Sequence, residues 1–135
     1  MKRFEELDHT ADVGIRAYGH TLDELFENAA AGMFSLITEL DAVKPVGEYE
    51  VKLSAKDVKS LLFDYLSELL FLHETQKVLL SEFTAKVAGL AVDARARGER
   101  IDRKRHALHL AVKAVTYHAM EVDPERGVAQ VIFDI

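Results

Sequence analysis

Apolar and polar positions change period several times along the chain, and each change marks an element. Val13 to Tyr18 alternates, with Val13, Ile15 and Ala17 on one side and Arg16 on the other, which predicts a strand closed by Gly19. Thr21-Leu22-Asp23-Glu24 is a capping box, and Leu22, Leu25, Phe26, Ala29, Ala30, Met33, Phe34 and Ile37 follow at helical spacing, so a helix should run to about Thr38. Pro45 and Gly47 punctuate a connection before Tyr49, Val51 and Leu53 alternate as a strand. Ser54-Ala55-Lys56-Asp57 opens a second helix, whose broad apolar face from Val58 to Leu72 marks it as the expected central core helix. Glu5 to Leu7 is too short to assign from period alone, and 106–111 reads equally as strand or a helical turn.

Period two returns in the last third. Phe83, Ala85 and Val87 alternate with polar residues, as do Leu90, Val92 and Ala94, and Gly89 between them suggests a tight turn or bulge. Val112 to Val122 and Val128 to Phe133 flank Asp123-Pro124-Glu125-Arg126-Gly127, a hairpin signal. Strand parity places Tyr117 on the face of Lys113 and Val115 unless a bulge intervenes. Strands interrupted by helices without regular alternation predict an α+β fold: two layers, a mainly antiparallel sheet packed with two main helices. No repeat or low-complexity stretch divides the chain, so residues 1–135 are expected to be a single domain.

Composition narrows the chemistry. No cysteine is present, which excludes disulfides and thiolate metal sites. No apolar run approaches the roughly 18 residues of a spanning helix, so a soluble cytoplasmic protein without membrane contact is expected. A net charge of -6 opposes general nucleic-acid binding. One segment runs against that balance: Arg95, Arg97, Arg100, Arg103, Lys104 and Arg105 are offset only by Glu99 and Asp102, and form either a solvated hairpin tip with its loop or a docking patch for RNA or an acidic surface.

The chemistry-bearing residues lie towards the two ends. Asp134 and the carboxylate of Ile135 follow the apolar run Val131-Ile132-Phe133, while Asp8-His9-Thr10-Ala11-Asp12 precedes the first alternation. If the first and last strands are neighbours, Asp12, Asp134 and the Ile135 carboxylate converge, and their repulsion calls for a cation. An oxygen-only set favours magnesium or calcium over zinc. The other reading leaves Asp134 and Ile135 in solvent with Asp12 capping a turn. His9 could orient Asp12, ligate a metal or bond a loop carbonyl. Lys113 either projects into solvent or reaches the carboxylates, and His118 reads as a hydrogen-bonded strand residue. His106 and His109 show no zinc pattern and read as surface residues. No phosphate-cradling glycine loop, GxSxG, HExxH or cysteine nucleophile is present.

Three blocks, Asp8-His9-Thr10-Ala11-Asp12-Val13, Lys113-Ala114-Val115-Thr116-Tyr117-His118 and Val131-Ile132-Phe133-Asp134-Ile135, occur in the order seen in the archease family, which the chain resembles over essentially its whole length. Where this chain has Asp8 the family usually has glutamate, one methylene longer. The resemblance implies a divalent cation, calcium or magnesium, bound through Asp12, Asp134 and Ile135, and functional places for Lys113, Asp8 and His9. It also implies a non-catalytic cofactor that activates an RtcB-type RNA ligase in tRNA splicing and RNA repair, by promoting GTP-dependent guanylylation of the ligase and multiple turnover, and that meets RNA through the ligase. Residue chemistry alone leaves two other classes: a metal-dependent phosphoester hydrolase using the same carboxylates, and a chaperone-like or RNA-binding modulator acting through Arg95 to Arg105.

Overall fold

A computed structural model describes residues 2–8 and 12–135, with Asp8 given by its backbone. Strands β1 (Phe4–Asp8) and β2 (Val13–Tyr18) precede helix α1 (Leu22–Ile37); β3 (Gly47–Ser54) and α2 (Val58–Gln76) follow; then come β4 (Val78–Ala88), β5 (Ala91–Arg100), β6 (Ala114–Asp123) and β7 (Val128–Asp134). The expected α+β class with two main helices and antiparallel pairing is what forms. Period alone did not reveal that the strands divide into two sheets, ordered β1-β2-β7-β6 and β3-β5-β4.

Both helices begin where their capping signals lie. Thr21 Oγ1 accepts the Glu24 N–H at 3.1 Å and Asp57 Oδ1 accepts the Ser60 N–H at 2.7 Å, each satisfying an amide that the helix itself leaves unpaired. The central helix is α1, not α2. Ala29, Ala30, Ala31 and Gly32 are buried alongside Leu25, Phe26, Met33 and Phe34, so α1 is covered nearly all round and packs on β2 of one sheet and β4 of the other. Its run of small residues permits this close approach: a Cβ on Gly32 would stand 2.8 Å from Ile15 Cδ1. In α2, which packs mainly on β6 and β3, Phe71 remains 56% exposed.

Strand β4 is an edge, and α1 covers it chemically as well as sterically. Asp23 Oδ1 accepts the Val87 N–H at 2.7 Å and Glu27 Oε2 accepts the Ala85 N–H at 2.8 Å. The match follows from the two repeats: four helical residues rise about 6 Å, and two strand residues span about 6.6 Å. Carboxylates spaced i, i+4 thus meet alternate edge amides that would otherwise invite another strand.

The β6–β7 pairing contains a large bulge. Thr116 pairs with Ile132 but Glu121 pairs with Gln130, so residues 117–120 face Val131 alone, and Ala119 turns through φ 50°. Parity therefore fails at Tyr117: Val115 is buried, whereas Tyr117 is 51% exposed and stacks on Phe63 of α2 with ring centroids 4.0 Å apart. His118, expected within a regular strand, is an exposed residue of this bulge.

Candidate functional site

The two ends of the chain meet in the four-stranded sheet, where β2 and β7 are neighbours. Val13 pairs with Phe133, and Asp8 of β1 pairs with Val13 on its other side. Ala114 pairs with Asp134 across β6 and β7, and the Lys113 N–H donates to the Asp134 carbonyl at 2.8 Å. Asp8, Asp12, Lys113, Asp134 and Ile135 thus all belong to one end of the sheet. Continuing the register, Asp12 stands across from Asp134, and alternation gives both the face of Gly14 and Ile132, away from α1. Asp12 is half-buried, while Lys113, Asp134 and Ile135 are exposed. His9 lies outside the described residues.

The carboxylates rest on a floor that period did not disclose. Ile132 is fully buried although it belongs to the outer face, because it lies over Gly14, where a Cβ would stand 2.5 Å from Ile132 Cδ1 and 3.0 Å from the Val131 carbonyl oxygen. Leu7 lies beside the same gap. The available sequence signal was a glycine inside an otherwise regular strand, which often marks a close approach by a neighbour. With the backbone of Asp134 held through its carbonyl and the side chain of Ile132, two residues earlier, lying over Gly14, the last strand has a defined path.

As a donor set, Asp12, Asp134 and the terminal carboxylate are hard oxygens at the ends of neighbouring strands whose backbones run about 5 Å apart, a chemistry suited to calcium or magnesium. Among the described residues neither aspartate forms an ion pair. No three His, Asp or Glu side chains among them are grouped closely enough to hold an ion. The donors at this end of the sheet are two side chains and the terminal carboxylate.

The basic segment is not a hairpin tip. Arg95 and Arg97 lie within β5 opposite Glu50 and Glu48 of β3, with contacts of 2.8 Å from Arg95 to Glu50 and 3.1 Å from Arg97 to Glu48. Glu99 joins three donors: the Arg105 guanidinium, the Lys44 N–H at 2.7 Å and His106 Nε2 at 3.0 Å. These bonds, the Arg105 one foremost, hold its carboxyl down to about 2. His106, expected at the surface, is buried at 4% exposure; its Nδ1 accepts the Asp102 N–H at 2.9 Å, so Nε2 carries the proton that goes to Glu99. His109 does lie at the surface, paired with Glu39.

The model of the Archease protein family matches residues 4–135. The chain belongs to the archease family. It is 45% identical to the protein archease of Methanothermobacter thermautotrophicus over 100% of both chains, and 43% identical to that of Methanopyrus kandleri over 98% of this chain and 99% of that one. The solution structure of Methanobacterium thermoautotrophicum protein 1598 is similar over 100% of both chains, with a TM-score of 0.88 and 45% identity. A crystal structure from Thermotoga maritima, described as an archease and possible chaperone, shares the archease fold at a TM-score of 0.65 and 21% identity, covering 97% of this chain and 96% of that one. No helix is long and apolar enough to cross a membrane among the described residues of this archease.

Proposed function

We propose that the protein acts in the cytoplasm as a non-catalytic cofactor of an RtcB-type RNA ligase, in tRNA splicing and RNA repair, and that its acidic sheet end is the working part. The observation that carries this reading is the register of β2 against β7, which brings Asp12, Asp134 and the chain terminus together in a member of the archease family. In this reading Asp12, Asp134 and the Ile135 carboxylate hold a calcium or magnesium ion. Bound there, the ion would supply electrostatic stabilisation of phosphate charge in the ligase's nucleotide site.

Every other part of the mechanism belongs to the chain's own residues. Gly14 and Ile132 set the path of the last strand, so that the carboxylates reach the ligase already positioned. Lys113, fixed by its backbone bond to Asp134, supplies a cation beside them and engages a nucleotide phosphate. Asp8, in register with Val13, and His9 are assigned to the same partner-activating end. The exposure of Asp134 and Ile135 suits insertion into a partner's site better than enclosure of a small substrate, which favours a cofactor over a free-standing hydrolase.

The reading is tested with calorimetric titration of calcium and magnesium, alongside ligation turnover with RNA in excess over the ligase. Asp12→Asn and Asp134→Asn should each weaken cation binding at least about tenfold, the loss of one charge-assisted contact, and abolish the turnover gain with the fold intact. Unchanged affinity and unchanged turnover in both variants would refute it.

A further inference from the structure

Of the six basic residues between Arg95 and Arg105, Arg95, Arg97 and Arg105 are paired with carboxylates; among the described residues Arg100, Arg103 and Lys104 are not. Two of these unpaired cations, Arg103 and Lys104, meet Lys77 around a pair of adjoining clefts that share Lys77, Ile101 and Arg103. Lys77 ends α2 in the left-handed conformation, φ 55° and ψ 48°, and its carbonyl accepts the Ile101 N–H at 2.8 Å, tying the helix end to the loop. The loop is closed on itself: the Arg105 and His106 N–H groups both donate to the Asp102 carbonyl, at 3.0 and 2.7 Å. Buried His106 and Glu99 anchor it to β5. Its cations are therefore presented by a fixed backbone rather than by a loose tail, which lowers the ordering cost of binding.

One cleft has an apolar floor of Ile37, Ile101, Leu108 and Leu110 with Glu74, His73 and His109 on its walls; in the other, Asp102 lies among the cations, with its side chain already accepting the Lys104 N–H. We propose that this groove binds the phosphate backbone of a short single-stranded oligonucleotide, with the apolar floor taking a sugar and base between phosphates held by Lys77, Arg103 and Lys104. The chemistry distinguishes this occupant from an acidic polypeptide, which offers carboxylates but no flat apolar group for each charge. The inference stands apart from the ligase reading, since it needs neither the acidic end nor a partner.

The test is fluorescence anisotropy of a short labelled single-stranded RNA titrated with the full chain at several salt concentrations. Three phosphate contacts predict a slope of log affinity on log salt of about -2. The triple variant Lys77→Glu, Arg103→Glu, Lys104→Glu should lose affinity by at least about tenfold with unchanged circular dichroism. A control of equal charge change towards the opposite end of the three-stranded sheet, Lys52→Glu, Lys56→Glu, Lys86→Glu, should lose much less. The proposal is overturned if the wild-type chain shows no binding at the lowest salt, if both triple variants fall equally, or if polyglutamate competes as well as RNA per charge.

Discussion

Gly14 shows how one residue sets the geometry of the acidic end. A Cβ there would meet Ile132 Cδ1 at 2.5 Å and the Val131 carbonyl oxygen at 3.0 Å, so the fully buried Ile132 would have to shift. Gly14→Val should destabilise by about 1–3 kcal/mol through overpacking, read as a lower urea midpoint. Pairing Gly14→Ala with Ile132→Val, which removes the offending methyl, should recover much of the loss of Gly14→Ala, and additive losses would contradict this account. The candidate carboxylates themselves were legible because aspartates next to apolar alternation stand out at once. Their floor was not, since its meaning depends on which strand lies beside Gly14, and no local period carries that information.

At the scale of elements, side chains on one piece of structure satisfy the backbone of another. Asp23 and Glu27 of α1 serve the edge amides of β4, so Asp23→Ala with Glu27→Ala should cost about 1–3 kcal/mol for each amide left without its partner and speed hydrogen exchange at Val87 and Ala85. Unchanged exchange there would show that water replaces the carboxylates freely. Glu99 does the same for the 101–106 loop. Its carboxyl titrates at about 2 in the folded chain against an ordinary 4.5, so its contribution is present above the ordinary value and is lost as pH falls through 4.5 towards 2. Burial shifts the Glu27 carboxyl upward instead, so its ionisation opposes folding and weakens stability as pH rises from the ordinary 4.5 towards its raised folded value. Glu99→Gln should therefore flatten the acid limb of a stability-against-pH curve measured by thermal melting, and a limb of unchanged slope would contradict the assignment. Helix starts, helix lengths and most strands were readable from caps and periods because those signals are local. The burial of His106, the ion pairs of Arg95 and Arg97 and the bulge at 117–120 were not, because each depends on a partner far away in sequence.

For the whole molecule, the arrangement of the sheets explains why the two ends of the chain lie side by side. The alternation of 13–18 and 128–133 announced two strands but not their adjacency. Pairing them puts Asp134 across from Asp12, the residue just before β2, with α1 and its small residues filling the space behind. The position of α1 between two sheets was likewise hidden: α2 has the more conspicuous run of leucines, yet the alanine- and glycine-containing helix is the one that can be covered nearly all round. What emerges is a firm two-sheet body carrying exposed carboxylates at one end, a form suited to delivering charge into another protein's site. The most direct measurement is single-turnover guanylylation of the RNA ligase proposed as partner at limiting GTP, with the wild-type protein, Asp12→Ala and Asp134→Ala. The account predicts acceleration by the wild-type chain that both variants lose while keeping the wild-type melting temperature. Acceleration that survives in both variants would contradict the acidic end as the working part, and no acceleration by the wild-type chain would contradict the cofactor role itself.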